Sequence, residues 1–226
     1  MKVYFVMDLM DGKVVKAIRG ERERYLPVNL CINAESNPLK LIEKIQPRYL
    51  YVADLDRIMD RGDNCRIINL LSEKVDHLIA DCGFKEPDEI KNLKFDAIVG
   101  SETFNLRELE DISESEVRYV SIDIKDCFLD ASKSFDDWRE ALLYLNSFDM
   151  DGVIILNLLR VGTMSLDINT FREALDISDN PLFAGGGIRS LDDIFKLKDM
   201  GYQGVLVASS VYIGEVPLSI LRNGTV

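Results

Sequence analysis

The sequence predicts an α/β protein, a (β/α)8 TIM barrel built from two fused half-barrels. Three observations predict this fold. Short apolar runs alternate with amphipathic runs along the whole chain, the two halves repeat the same short motifs in the same order, and 226 residues suffice for eight strand–helix units. Such alternation is typical of parallel strands joined by crossover helices. A doubly wound open sheet is the alternative.

Each element is predicted from its hydrophobic periodicity. Strand-like runs occupy residues 3–9, 49–54, 77–81, 96–100, 117–123, 152–157, 181–184 and 204–208. Helical patterns occupy residues 38–45, 64–74, 87–93, 106–112, 134–147, 168–176, 191–200 and 217–221. No linker interrupts the pattern, so residues 1–226 are predicted to form a single domain. The polar segment 20–37 is predicted to be a long irregular loop over the active-site end of the barrel.

Composition restricts the partners and the compartment. The chain has 39 acidic and 27 basic residues and a net charge of −12, so neither nucleic acid nor an anionic membrane is an expected partner. A small phosphorylated substrate is compatible with this charge, because backbone amides can hold a phosphate. The longest apolar runs have strand length and Asp8 interrupts the first, so a cytoplasmic protein is expected. The four cysteines are isolated, which favours reduced thiols over disulfides or a metal site.

The internal repeat divides the chain into halves of approximately residues 1–112 and 113–226. In each half a strand runs into glycine, followed by an apolar residue, a basic residue and an acidic helix start. Repetition at this scale predicts two fused half-barrels. The matching segments are 79–90 with 182–194, 97–101 with 205–209, 6–11 with 121–126 and, more faintly, 54–56 with 157–159.

Two pairs of strand-to-helix turns lack bulky side chains and are predicted to bind phosphate through their backbone N–H groups. The alternative is that these glycines only make tight turns. The turns after the seventh and eighth strands keep the fuller pattern and are predicted to hold the main phosphate. The predicted phosphate-binding residues are Gly186, Gly187, Ala208 and Ser209 in the second half, and Gly83, Gly100 and Ser101 in the first.

Asp8 and Asp123 end the first and fifth predicted strands, which lie opposite each other in an eight-stranded barrel. Side-chain alternation points both aspartates into the barrel mouth. Two carboxylates on opposite sides of a small substrate suit general acid–base catalysis, and they are the predicted catalytic pair. The alternative is that each aspartate only caps a turn.

Several motifs together carry a family resemblance. They lie at residues 7–16, 53–56, 121–123, 186–193 and 204–214. On these motifs the chain resembles the histidine-biosynthesis (β/α)8 barrels, which include a ribotide isomerase and the cyclase subunit of imidazole glycerol phosphate synthase. The resemblance implies that Asp8 and Asp123 are the acid–base pair and that Asp54, Gly162 and Thr163 bind substrate. It further implies an Amadori rearrangement of an aminoaldose to an aminoketose without a cofactor or a metal.

The chain also departs from the family pattern. Arg57 follows the second strand in place of a small residue, Cys82 stands in the first phosphate turn, and Leu156 and Val161 replace polar residues of the sixth-strand motif. Three functions therefore stay open: an isomerase of a phosphorylated aminosugar, a cyclase or lyase acting on another phosphorylated substrate, and a non-catalytic phosphometabolite-binding or partner protein. A monomer or a small homo-oligomer is expected.

Overall fold

The computed structural model of the chain describes residues 1–31, 34–113 and 116–226, and it confirms the predicted barrel. In chain order the strands are β1 (Lys2–Met10), β2 (Lys13–Lys16), β3 (Leu26–Pro27), β4 (Tyr49–Asp54), β5 (His77–Asp81), β6 (Asp96–Gly100), β7 (Tyr119–Ile124), β8 (Gly152–Asn157), β9 (Leu182–Gly185) and β10 (Gly204–Val207). Parallel pairing runs from β1 through β4 to β10, and β10 pairs back with β1 to close the barrel. The antiparallel strands β2 and β3 extend β1 outside the closed ring.

The helices cover the outside of the barrel. They are α1 (Val28–Cys31), α2 (Pro38–Ile45), α3 (Leu55–Ile58), α4 (Cys65–Ser72), α5 (Trp138–Leu145), α6 (Ile168–Ile177), α7 (Leu191–Met200), α8 (Ser209–Tyr212) and α9 (Leu218–Asn223). Short 3₁₀ helices lie at Arg22–Arg24, Pro87–Ile90, Leu106–Asp111 and Leu158–Arg160. None of the helices in the described ranges is long and apolar enough to cross a membrane.

Helix boundaries match the prediction where capping residues fix them. The side chain of Asn37 accepts the backbone N–H of Lys40 at the start of α2, where Pro38 supplies the preset backbone angle of the first turn. Gly201 ends α7 in the left-handed region, with φ of 113°. The predicted helices at 38–45 and 191–200 therefore have the observed limits.

Two segments that the sequence predicts to be α-helices are 3₁₀ helices in the structure. They are Pro87–Ile90 and Leu106–Asp111. In the second, Leu106 and Leu109 are the buried residues. Side chains three residues apart lie directly above one another in a 3₁₀ helix, so this spacing buries both leucines without a full α-helix.

The prediction of an irregular loop at 20–37 is also wrong in part. Residues 32 and 33 of that segment lie outside the described residues. The rest includes a 3₁₀ turn, the short strand β3 and α1. Tyr25 is buried and packs into the inner cluster with Val15 and Ala17 of the β2 segment, so the hairpin covers the barrel mouth.

Side-chain alternation divides the core into an inner and an outer layer. Along β1, Phe5, Met7 and Leu9 belong to the outer cluster between strands and helices. Tyr4 belongs to the inner cluster that fills the barrel. Because successive side chains of a strand point to opposite faces, the inner positions of β1 are the even-numbered ones, and Asp8 is among them.

An aromatic layer fills the amino-terminal end of the barrel. Tyr4, His77, Tyr119 and Phe183 come from alternate barrel strands, and neighbouring ring centroids lie 5.7–5.9 Å apart. His77 joins Tyr4 Oη (2.8 Å from Nδ1) to Asp96 Oδ2 (2.7 Å from Nε2). Four residues from alternate strands form a typical layer of a TIM barrel, at the end where conserved features serve stability.

Gly204→Ala is expected to destabilise the fold, because a Cβ at this position would lie 2.6 Å from the Phe183 ring. Overpacking of this kind costs about 1–3 kcal/mol of unfolding free energy. Urea denaturation measures the loss. Phe183→Leu makes room for the new methyl group, so the double variant should lose less stability than the two single losses added together. If the stability losses of the two single variants simply add in the double variant, the two side chains do not clash as described.

Candidate active site

A cavity opens at the carboxyl ends of the barrel strands, with about 1040 Å³ of empty space including its open mouth. Leu156, Val161 and Leu206 are among its apolar lining residues. Leu156 and Val161 are the apolar replacements noted in the sixth-strand motif, so they make this wall less polar. The charged residues that line the cavity are Asp8, Lys16, Arg22, Asp81, Glu102 and Asp123.

The structure brings only part of the predicted site together. The predicted residues that line the cavity are Asp8, Asp123, Gly162, Gly186, Gly187, Ala208 and Ser209. Five others lie outside its lining, namely Asp54, Gly83, Gly100, Ser101 and Thr163. Sequence reasoning missed Arg22, Asp81, Glu102 and Tyr212, which do line it.

Asp8 and Asp123 lie in different environments. Asp8 is partly exposed in the cavity, and among the described residues its carboxylate accepts no hydrogen bond. Asp123 is 2% exposed and accepts the Ser121 hydroxyl at 3.0 and 3.1 Å and the Glu102 backbone N–H at 3.2 Å. Burial raises the pKa of Asp8 to about 7 and that of Asp123 to about 6. Two carboxylates with pKa values near neutrality suit proton transfer at physiological pH.

Asp81 is a third carboxylate in the same mouth. It ends β5 at the inner position equivalent to Asp8 and Asp123, a signal that strand alternation alone offered. A Cβ built on Gly100 would lie 3.1 Å from Asp81 Oδ2 and 3.2 Å from Asp123 Oδ2, so this glycine leaves room for both carboxylates. Burial, and next the charge of Asp123, raise the pKa of Asp81 to about 7.

An ion pair spans the mouth above these aspartates. Arg22 Nη1 donates to Glu102 Oε1 at 2.7 Å, and Nη2 donates to Oε2. Arg22 belongs to the segment between β2 and β3, whereas Glu102 follows β6. This bidentate contact holds the hairpin over the cavity, and the guanidinium charge partly opposes the rise in the pKa of Asp8.

The turn after β9 is open to a ligand. Gly186 and Gly187 have φ of 96° and 80°, and a Cβ on Gly187 would lie 2.1 Å from the Ser165 carbonyl oxygen. The backbone N–H groups of Gly187, Ile188 and Ser209 donate no hydrogen bond to any described residue. All three residues line the cavity. Unpaired backbone N–H groups beside a cavity are groups that can bind an anion.

The turn after β5 is closed. The Gly83 N–H donates to Asp81 Oδ1 at 2.9 Å, and the Ser101 N–H donates to the Ser121 carbonyl at 2.9 Å. The Ser101 hydroxyl accepts the Asp123 N–H at 2.9 Å. These groups are thus hydrogen-bonded within the protein, and Gly100 lies beneath carboxylates. The arrangement does not support the predicted second phosphate site at Gly83, Gly100 and Ser101.

Asp54 has its hydrogen bonds within the protein. Its side chain is fully buried and accepts the Asn64 N–H at 2.6 Å, Asn64 Nδ2 at 2.7 Å and the Arg57 N–H at 3.3 Å. It therefore caps α3 and fixes the start of α4, away from the cavity. Thr163 donates its hydroxyl to the Arg160 carbonyl at 2.8 Å. The predicted substrate contacts of Asp54 and Thr163 are not supported by this geometry.

The Tyr212 hydroxyl is buried and has no hydrogen-bond partner among the described residues. Burial, and next the Asp8 charge, raise its pKa well above its usual range, so it is a neutral donor. Within the described ranges no group of three or more His, Cys, Asp or Glu side chains is arranged to hold a metal ion. Cys65, Cys82 and Cys127 are free thiols, and the side chain of Cys31 lies outside the described residues.

Comparison with known proteins agrees with the resemblance noted in the sequence. A family model described as "Histidine biosynthesis protein" matches residues 2–217. An uncharacterized protein of Methanocaldococcus jannaschii is 30% identical, over 99% of this chain and 98% of its own. A protein of Caldicellulosiruptor saccharolyticus is 26% identical over 99% of both chains. Its name is that of an imidazole-4-carboxamide isomerase, and the compound in that name carries two 5-phosphoribosyl groups.

Methanocaldococcus jannaschii has a protein of that isomerase name as well, 23% identical over 94% of both chains. The same organism therefore carries two relatives of this chain. The named isomerase is the less similar of the two.

Asp81→Asn is expected to stabilise the fold at pH 8 and to change it little at pH 4. Folding raises the pKa of Asp81 from 3.8 to about 7, so the native state binds more protons and loses stability as the pH rises through this range. At about 1.4 kcal/mol per pKa unit, the gain from the neutral amide is at most a few kcal/mol.

Urea unfolding at the two pH values measures this effect. Asp54→Asn is the matched control, because it changes a buried acceptor of three hydrogen bonds and should destabilise the fold at both pH values. If Asp81→Asn changes the free energy of unfolding equally at pH 4 and pH 8, the pKa of Asp81 is not raised by folding.

Proposed function

Because this chain belongs to the histidine biosynthesis protein family, we propose that it is an aldose–ketose isomerase of a phosphorylated aminosugar. The relatives named as isomerases support the reaction class. One observation carries the proposal. The same cavity holds an open backbone anion site at Gly187, Ile188 and Ser209 and two carboxylates, Asp8 and Asp123, in contrasting environments.

In the proposed reaction the substrate phosphate binds the three free amides and fixes the sugar in the cavity. Positioning of this kind removes much of the entropic part of the barrier. The Tyr212 hydroxyl is available to donate a further hydrogen bond to the substrate. The apolar wall at Leu156 and Val161 excludes water from the reacting carbons.

The two aspartates divide the proton transfers. At pH 7 Asp8, with a pKa of about 7, is the more protonated, and Asp123, which accepts hydrogen bonds from Ser121 and Glu102, is the more ionised. A carboxylic acid of the pair protonates the ring oxygen and opens the ring. A carboxylate of the pair removes the proton from C2, and a proton returns at C1 as the C2 ketone forms, so the atoms balance without a cofactor.

A second candidate is a cyclase or lyase that acts on another phosphorylated substrate. The closed turn after β5 and the apolar wall favour it, since both differ from what a doubly phosphorylated ligand needs. The two candidates differ in their products, because an isomerase leaves the mass of the substrate unchanged.

Asp8→Asn and Asp123→Asn are each expected to lower turnover by at least about 100-fold, because the amide cannot exchange a proton. Proton NMR in D₂O, with phosphorylated aminoaldoses as substrates, follows both the product and deuterium incorporation. Asp11→Asn is the matched control, since Asp11 is exposed and lies outside the cavity lining. An active Asp8→Asn/Asp123→Asn double variant would rule out the acid–base pair.

Ser209→Asp is expected to weaken phosphate binding by at least about tenfold, because it places a negative charge beside the free amides. Ser209→Asn has a similar size without the charge and should bind phosphate nearly as the wild type does. Isothermal titration calorimetry with inorganic phosphate compares the three proteins. Equal affinity of the aspartate variant would place the phosphate elsewhere.

A further inference from the structure

We propose that Asp81 occupies the place of a second substrate phosphate, so that the cavity selects substrates with a single phosphate and a hydrogen-bond donor at the opposite end. The inference rests on the proposed function, in which the turn after β9 holds one phosphate. It makes Asp81 a specificity-determining residue and narrows the substrate class.

The first argument is that the Gly83 N–H, in the turn after β5, already has a hydrogen-bond acceptor. By the internal repeat, Gly83 corresponds to the Gly186-Gly187 turn. There the amides are free, whereas the Gly83 N–H already donates to Asp81 Oδ1 at 2.9 Å. The carboxylate lies two residues away in the same chain, so it is ordered by β5 before any ligand arrives. An internal anion thus fills the position where the repeat would place an external one.

The second argument is the direction of the remaining carboxylate oxygen. Asp81 is 7% exposed and lines the cavity. Its Oδ2 accepts no hydrogen bond from any described residue. Because Asp81 lines the cavity, this oxygen is available to a ligand that donates a hydrogen bond to it. At pH 8 Asp81 is mostly ionised, because its pKa is about 7, and an unprotonated phosphate oxygen cannot donate a hydrogen bond to it.

The third argument is charge. Asp123 Oδ2 and Asp81 Oδ2 both lie within 3.2 Å of one point above Gly100, and Glu102 follows on the same turn. Lys16, which ends β2, also lines the cavity, and three other cations near this end are paired with carboxylates. Arg22 binds Glu102, Arg57 binds Glu89 at 2.6 Å, and Lys85 binds Asp60 at 2.5 Å. A phosphate at this end would face carboxylates without a free cation from these three residues, whereas a hydroxyl or an ammonium group would be stabilised.

Three sugar phosphates that share the C6 phosphate test the selection. Glucose 6-phosphate offers hydroxyl groups at the other end, glucosamine 6-phosphate an ammonium group, and 6-phosphogluconate a carboxylate. Calorimetry at pH 8 should show the gluconate binding at least about tenfold more weakly than the glucose ester. Tighter binding of the glucosamine ester identifies an ammonium-bearing substrate, and equal binding identifies a hydroxyl-bearing one. Gluconate binding as tight as that of the other two would overturn the proposal.

Asp81→Gly should allow a second phosphate to bind at Gly83, because it frees the Gly83 N–H and removes one negative charge. Calorimetry with inorganic phosphate is expected to give one site per chain in the wild type and two in this variant, and crystals soaked in phosphate should place the second anion at Gly83. Asp81→Asn keeps the acceptor and removes the charge, so it should still bind one phosphate while losing most of the discrimination against 6-phosphogluconate.

Asp88→Asn is the control, since Asp88 lies on the turn that follows and its side chain is 88% exposed. It should bind as the wild type does. Two phosphates on the wild-type chain, or an Asp81→Gly variant that binds no phosphate at Gly83, would overturn the proposal. A phosphate at Gly83 in Asp81→Gly with none at Gly187 in either protein would instead contradict the proposed function and leave this inference standing.

Discussion

Closure of the sheet is the constraint on which the rest of the structure depends. The pairing of β10 with β1 places Lys2 beside Gly204 and fixes the register of every strand around the ring. Because side chains alternate strictly, this register decides which residues point inwards. It places the aromatic layer of Tyr4 and Phe183 at one end and the carboxylates of Asp8 and Asp123 at the other. Stability and chemistry therefore lie at opposite ends of the same strands.

The mouth of the barrel is asymmetric although the chain repeats itself. One glycine turn presents free amides, and the equivalent turn is closed by the carboxylate of Asp81. The difference lies in one carboxylate, two positions before Gly83, which accepts the N–H of that glycine.

The carboxylates in the barrel mouth lower the stability of the folded protein at neutral pH. Three aspartates with raised pKa values share one mouth, and each favours the protonated form on folding. Arg22 compensates part of this cost, and its ion pair with Glu102 ties the β2–β3 hairpin across the opening. The aromatic layer and the helices on the outside supply the rigidity that keeps these charges in place. Clustered carboxylates with raised pKa values in a cavity are typical of functional sites, and the proposed function uses two of the three.

Sequence alone determined the barrel, its eight parallel strands, the family and the strand positions of Asp8 and Asp123, because these depend on periodicity. It also identified the open turn at Gly187. It did not predict β2 or β3. Only the tertiary structure decided which polar groups are already satisfied. Asp54 and the turn at Gly83 match their motifs, yet their hydrogen bonds are formed within the protein by partners that folding brings together. A motif specifies residue types, whereas availability to a ligand depends on neighbours distant in sequence or on a backbone turn that no spacing reveals.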